Sequence, residues 1–245
     1  MKNNLVIGAF LGICLLATTA LADHIVVVPG GFSGTEANSS DNAPLGAAEQ
    51  HFQQVFSAAL LTNLTAGDII NGIAFRVEGN ESALPAQTVT TYDISMSASL
   101  NAPGSLSPVF ADNRGADFLN VRSGPLTLNA GDFSGGTSPN TLGWISFSSP
   151  YLYTGGDLLV EIAYQGFSIG RDADAAYPYN ASLAQTAFGN GYSSTTADAG
   201  LYAEALVMGF SVETFSIVPE PSASAMFVVG GLLICAHLCK RSRTA

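Results

Sequence analysis

Two short acidic clusters are the parts of this 245-residue sequence whose side chains are best suited to holding a metal ion. Asp112 and Asp117 flank a glycine turn, and Asp172 and Asp174 are separated by one residue. Calcium prefers several oxygen ligands, which carboxylates at such spacings can supply. Neither cluster follows the EF-hand loop pattern, and ordinary turns with arginine counter-ions are the competing interpretation. We therefore predict no obligate cofactor, with calcium as the one cation that these aspartates would bind.

Aromatic side chains in the long segment 165–203 indicate a second kind of site. Tyr177 and Tyr179 flank a proline in this segment, which is rich in Gly, Ala, Ser, Thr and Asp. Long loops usually carry function, and tyrosine rings can cover sugar faces while amides and carboxylates bind the hydroxyl groups. Aromatic residues of β proteins are more often core residues, as we expect for Trp144. On this interpretation, Tyr177 and Tyr179 are the predicted glycan contacts.

Patterns for nucleophilic catalysis are incomplete. The serine turn at 31–35, Gly-Phe-Ser-Gly-Thr, lacks the last glycine of a nucleophile elbow. The serine loop at 131–136 is similar to the serine loop of trypsin-like proteases, but an inserted phenylalanine changes the spacing around the serine. Between the two termini, His24 and His51 are the available histidine bases. We predict no catalytic residue and no enzymatic activity.

Paired carboxylates leave one enzymatic alternative open. Glycoside hydrolysis needs two carboxyl groups at a defined separation, and this acidic sequence offers many. Strand glutamates usually face solvent, and their separation cannot be read from the sequence. A carbohydrate-active enzyme, a glycoside hydrolase or lyase on the same fold, is therefore the alternative to a non-catalytic protein. The glutamates that could face a cleft are Glu78, Glu161, Glu204 and Glu213.

Charge and cysteine content exclude several classes of function. Residues 23–217 contain no lysine, four arginines and eighteen acidic residues, a formal charge of −14. Nucleic-acid binding requires the opposite sign and is excluded. The three cysteines all lie in the terminal segments, so residues 23–217 have no disulfide, thiol nucleophile or zinc finger.

Alternating apolar residues predict short strands throughout the middle of the chain. Period-two runs at 73–77, 92–96, 158–162 and 206–212 are separated by Gly, Asn and Pro turns, with no sustained helical stripe. This pattern predicts an all-β, antiparallel β-sandwich with jelly-roll-like connections. We place this ectodomain at 50–217, preceded by a flexible lead-in at 23–49 that is rich in Gly, Ser, Asn and Ala.

Residues 1–22 have the features of a secretory signal peptide. A basic start leads into an apolar stretch that ends at Ala20-Leu21-Ala22, the small-x-small pattern that signal peptidase accepts. The apolar stretch is too short for a stable membrane span. We expect cleavage after Ala22 and export of the rest of the chain.

The C-terminal residues 218–245 combine three elements in a fixed order. The motif at 218–222 begins Val218-Pro219-Glu220-Pro221, an apolar run covers 223–239, and a basic tail covers 240–245. The apolar run predicts a single transmembrane helix, since it spans about 25 Å. The positive residues Lys240, Arg241 and Arg243 hold the tail on the cytoplasmic side.

This arrangement resembles the PEP-CTERM sorting signal of Gram-negative bacteria. The resemblance implies that an exosortase, a membrane-embedded cysteine protease, processes an inner-membrane-anchored precursor near the Pro-Glu-Pro motif. It also implies a final place at the cell surface or in the extracellular matrix, where exopolysaccharide is the expected partner. Residues 50–165 are similar to uncharacterised ectodomains of such proteins, which implies a shared sandwich but no known activity.

Overall fold

Strands are the main regular elements of the structure, a computed structural model, which describes the backbone of residues 20–216 and the side chains of 23–214. The prediction of an all-β protein with antiparallel sheets is confirmed. The predicted sorting signal at 218–245, most of the predicted signal peptide, and the side chains of Ala20 and Ala22 lie outside the described residues. No helix in the described part has the length and apolar character needed to cross a bilayer.

Two larger sheets carry the hydrophobic core. The four-stranded sheet has the order β1 (Ala20–Val28), β15 (Met208–Ser216), β4 (Ile69–Phe75) and β9 (Gly143–Leu152). The six-stranded sheet has the order β13 (Gly200–Tyr202), β12 (Ala184–Asn190), β3 (Gln50–Phe56), β10 (Leu158–Tyr164), β6 (Tyr92–Ala98) and β7 (Leu119–Arg122). Side chains from both sheets pack in one cluster, which includes Ile73, Phe210, Phe52, Ile94 and Val160.

Two smaller sheets are built from short strands. The three-stranded sheet has the order β14 (Ala205–Leu206), β11 (Ala173–Ala176) and β2 (Ser39–Asp41). The other sheet pairs β5 (Gln87–Val89) with β8 (Leu126–Leu128). In the three-stranded sheet, β11 lies between its two partners, so its position determines where the residues of β2 and β14 lie. Asp41 is opposite Ala173, and Leu206 is opposite Ala175.

Strand alternation places polar residues on the second face of the six-stranded sheet. Phe52 and Phe56 of β3 face the main core, whereas His51 and Gln53 point to the opposite face. Loop residues cover this opposite face as well, so its polar groups need partners inside the protein. A separate small cluster on it contains Val55, Leu106, Phe110, Leu159 and Ala187.

Residues 23–49 differ from the predicted flexible lead-in, because they belong to the folded unit. This segment contains β2 and the larger part of β1, and Val28 and Leu45 are fully buried in the main hydrophobic cluster. The compact unit covers residues 22–214. The polar composition predicted flexibility, but the few apolar side chains among the glycines and serines are sufficient to anchor the segment to the core.

A buried ion pair connects the four-stranded sheet to the three-stranded sheet. Arg76 directly follows β4, and its Nε lies 2.6 Å from Oδ2 of Asp174 in β11. The two side chains are 2% and 0% exposed. Arg76 also donates to the backbone carbonyl of Thr35, and Asp174 Oδ1 accepts a hydrogen bond of 3.0 Å from the Ala37 amide. The pair therefore holds β11 and the segment before β2 against the end of β4.

Arg76→Met is expected to destabilise the protein by about 3–5 kcal/mol, because it leaves a buried carboxylate without its cation. The measurement is the free energy of unfolding in a denaturant titration. Glu81→Gln is the matched control, since the Glu81 ion pair with Arg171 is at the surface, with N and O 3.6 Å apart, and is worth less than about 1 kcal/mol. Equal effects of the two substitutions would contradict the role given to Arg76.

Candidate functional site

A cavity of about 320 Å³ lies beside the edge strands of two sheets. One wall comes from β2, the edge of the three-stranded sheet, and the other from β13, the edge of the six-stranded sheet. We call this cavity the tyrosine pocket. Its lining residues are Ser39, Ser40, Asp41, Asn42, Gln50, Tyr177, Phe188, Ala199, Tyr202 and Glu204.

Two exposed tyrosine rings form the apolar part of the tyrosine pocket. Tyr177 is 46% exposed and Tyr202 is 39% exposed. Their ring centroids are 6.4 Å apart with the planes inclined by 67°. The backbone of Tyr177 is fixed by Asn38, whose side-chain amide donates to the Tyr177 carbonyl at 3.0 Å and accepts from the Tyr177 amide at 3.2 Å. The pocket thus presents two positioned aromatic surfaces to solvent.

A pair of carboxyl groups forms the polar part of the tyrosine pocket. Glu204, between β13 and β14, is only 4% exposed. Burial and the neighbouring charge of Asp41 raise the pKa of Glu204 to about 8. Burial also raises the pKa of Asp41, which hydrogen-bonds to Glu204 and accepts a bond of 2.7 Å from the Ala43 amide. At neutral pH the two groups therefore share one proton and carry a single negative charge.

Gln54 fixes the backbone of Glu204 at the pocket. Its Nε2 donates to the Glu204 carbonyl at 3.2 Å, and its Oε1 accepts from the Leu206 amide at 3.1 Å. The hydroxyl of Thr186 donates to the same Oε1 at 2.8 Å. Gln54 and Thr186 are fully buried, so this network has little freedom to rearrange.

The structure places the two predicted glycan contacts in different environments. Tyr177 lines the pocket, but Tyr179 is partly buried against the main hydrophobic cluster and is not among the lining residues. Tyr202 takes the second aromatic position, although sequence reasoning did not single it out. Its position within the tyrosine-rich segment 165–203 was the available signal. Trp144 is 38% exposed rather than buried, because it lies between the inward-facing Gly143 and Ile145 of β9.

Each of the four predicted calcium ligands has a hydrogen-bond partner within the protein. Asp112 accepts a hydrogen bond from the Ser107 hydroxyl at 2.9 Å, and Asp117 accepts from the Ala98 amide and the Tyr151 hydroxyl. Asp172 accepts from the Ser40 hydroxyl at 3.3 Å. Among the described residues, the one group of three acidic side chains close enough to share an ion joins Asp174 to Glu36 and Glu78, with ligand atoms within 4.8 Å of one another.

Two carboxylate oxygens in this group lack a partner among the described residues. They are Oε2 of Glu36 and Oε2 of Glu78, and both are buried. Burial, together with the charge of Glu36, raises the pKa of Glu78 to about 7. A proton on Glu78 reduces the repulsion at neutral pH, and a bound cation would do the same. Asp174 is the one predicted calcium ligand in this group, for which bound calcium stays a prediction, whereas sequence reasoning did not identify Glu36 and Glu78 as ligands.

A second cavity of about 320 Å³ lies over the outer face of the six-stranded sheet and contains an ionic cluster around Glu161. Arg114 donates two hydrogen bonds to the Glu161 carboxylate, at 2.6 and 2.9 Å, and Gln53 donates a third at 2.7 Å. Burial favours the neutral acid, but these bonds and one from His51 lower the pKa of Glu161. Glu161 is therefore an anchored anion.

His51 is not available as a general base in this cluster. Its Nε2 lies 2.8 Å from the Glu161 carboxylate, and its Nδ1 faces the backbone carbonyl of Ser194. Ser194 contributes its carbonyl to this contact rather than its hydroxyl, which instead donates to Asn190. Both ring nitrogens thus face acceptors, an arrangement that serves packing and does not match a nucleophile, base and orienter.

Comparison with protein-family models and with curated proteins gave no match to this chain. Function is therefore inferred from the sequence signals and from the geometry of the tyrosine pocket.

The melting temperature is expected to fall as the pH rises from 5.5 to 8.5. A carboxyl whose pKa is raised on folding binds more protons in the folded state than in the unfolded state, so stability is lost between the ordinary value of 4.5 and the raised value, about 8 for Glu204. Glu78, whose pKa is raised to about 7, contributes to this loss of stability at lower pH. Glu204→Gln keeps a neutral group, so it is expected to remove the loss of stability between pH 7 and 8. Glu49→Gln, at an exposed carboxylate, is the control; identical pH profiles for the two variants would contradict this assignment.

Proposed function

We propose that the protein is an exported, exosortase-sorted cell-surface or extracellular-matrix protein whose β-sandwich binds glycans of the matrix without catalysis. The tyrosine pocket carries the binding part of this proposal. The exposed rings of Tyr177 and Tyr202 lie beside carboxyl and amide groups, the combination by which proteins bind sugars. The position beside two sheet edges leaves the pocket accessible to a polymer chain.

The fold that we propose for this domain is a β-sandwich with jelly-roll-like connections. Two antiparallel sheets that share one hydrophobic cluster support it. The absence of cysteine from residues 23–217 means that the exported domain depends on this core instead of disulfides.

The sorting part of the proposal depends on the two terminal segments. Signal peptidase recognises Ala20 and Ala22 and releases the chain into the periplasm. In this proposal the apolar segment 223–239 retains an inner-membrane precursor, and the basic tail at 240–245 keeps its end in the cytoplasm. Exosortase then processes the segment 218–222, and the ectodomain reaches the surface or the matrix, with exopolysaccharide as its partner.

A carbohydrate-active enzyme is the second candidate, because the tyrosine pocket contains two carboxyl groups. Asp41 and Glu204 hydrogen-bond to each other, whereas glycosidases hold their carboxyl groups about 5 to 9.5 Å apart. Glu161 and Glu204 line different cavities, so these two sequence candidates do not form a pair. The geometry therefore favours binding over hydrolysis.

Tyr177→Ala and Tyr202→Ala are each expected to weaken binding of the native exopolysaccharide about tenfold, because each removes one aromatic surface. Binding is measured by calorimetric titration of the full-length protein in a detergent without a sugar headgroup. Trp144→Ala is the matched control, since Trp144 is a similarly exposed aromatic residue outside the pocket. The proposal fails if the wild-type protein binds no polysaccharide, and release of new reducing ends would favour the enzyme.

Pro219→Ala combined with Pro221→Ala is expected to block processing of the sorting signal, because the exosortase would lose its recognition motif. Mass spectrometry of the surface protein from cells with an exosortase should show a shortened C-terminus for the wild type and an intact one for the variant. A wild-type surface protein that still ends at Ala245 would contradict the sorting proposal.

A further inference from the structure

We propose that the tyrosine pocket selects amino sugars with a free, protonated amine, which lies between the carboxyl groups of Asp41 and Glu204 and against the two tyrosine rings. This inference rests on the proposed glycan-binding function and names the class of sugar. It follows from three properties of the pocket: a buried carboxyl without a basic partner among the described residues, a lining without cations, and the positions of the rings.

The first property is the buried carboxyl of Glu204. It is only 4% exposed, it lines the cavity, and no N–H group of the described residues donates to it. Its hydrogen-bond partner is another acid, Asp41. Two other buried carboxylates have arginine partners, Arg76 for Asp174 and Arg114 for Glu161. Glu204 therefore has the environment of a cation ligand without the protein supplying the cation.

The second property is the absence of positive charge from the lining. None of the described residues that line the pocket is Lys, Arg or His. The surrounding domain, residues 23–217, has a formal charge of −14, which raises the local concentration of cationic ligands. An ammonium group entering here meets no repulsion and can replace the proton that Asp41 and Glu204 share.

The third property is the arrangement of the neutral groups around the carboxyl pair. Tyr177 and Tyr202 offer aromatic faces, which attract a cation as well as a sugar ring. Gln50 donates to Oδ1 of Asn42 at 3.0 Å, and the Asn42 amide nitrogen has no partner among the described residues. That nitrogen can donate to a sugar hydroxyl. A sugar with a free amine therefore finds complementary groups for its ring, its hydroxyls and its charge.

The test compares a glucosamine hexamer with its fully N-acetylated counterpart at pH 5.5, where the free amines are protonated. Both are titrated calorimetrically into the full-length protein in a detergent without a sugar headgroup. The free-amine hexamer is expected to bind at least about tenfold more tightly, because a charge-assisted hydrogen bond replaces a neutral one. Repeating the titration in buffers of different ionisation enthalpy should show release of about one proton as the amine displaces it from the carboxyl pair.

Glu204→Gln is expected to abolish the preference for the free amine, whereas Glu49→Gln at an exposed position should retain it. A melting curve for each variant establishes that it is folded. Equal affinity of the wild type for the two hexamers, or a preference that survives Glu204→Gln, would overturn the inference and leave the glycan-binding function intact. Binding of neither hexamer would overturn the inference, and loss of exopolysaccharide binding as well would overturn the proposed function.

Discussion

The buried pair of Arg76 and Asp174 is the constraint on which the arrangement of the pocket depends. It holds β11 against the end of β4, and β11 in turn pairs with β2 on one side and β14 on the other. Asp41 is the last residue of β2, and Glu204 immediately precedes β14. These two carboxyl groups, which are far apart in the sequence, thus meet because one arginine fixes the strand between them. The same ion pair therefore stabilises the fold and positions the two carboxyl groups of the site.

The scarcity of positive charge explains the unusual protonation of the acidic groups. The four arginines of residues 23–217 are all engaged: Arg76 and Arg114 bind carboxylates, Arg122 binds backbone carbonyls, and Arg171 binds Ser82. Partly buried acids without an arginine can lower their repulsion by retaining a proton, as Glu204 and Glu78 do. A protonated carboxyl of this kind can exchange its proton for a bound cation. A domain with few positively charged side chains is therefore suited to binding cationic ligands.

Local patterns predicted the strands well, whereas contacts between distant segments could not be predicted. Alternation over 92–96 and 158–162 indicated β6 and β10, because side-chain direction in a strand follows from neighbouring residues. The composition of residues 23–49 predicted flexibility, since the core that buries Leu45 comes from other strands. Tyr177 was identified within a tyrosine-rich loop that also contains Tyr202, and Glu204 was one of four candidate glutamates, but nothing local indicated Asp41 or the meeting of these residues. They become a site only after β11 has brought their strands together.

The tyrosine pocket as the glycan-binding site is the central claim of this account. A crystal structure of the protein with a bound hexamer of glucosamine tests it most directly. The account predicts one sugar ring against Tyr177 and Tyr202, with its nitrogen within hydrogen-bond distance of Asp41 or Glu204. Sugar bound instead in the cavity beside Glu161, or at the exposed face of Trp144, would contradict it.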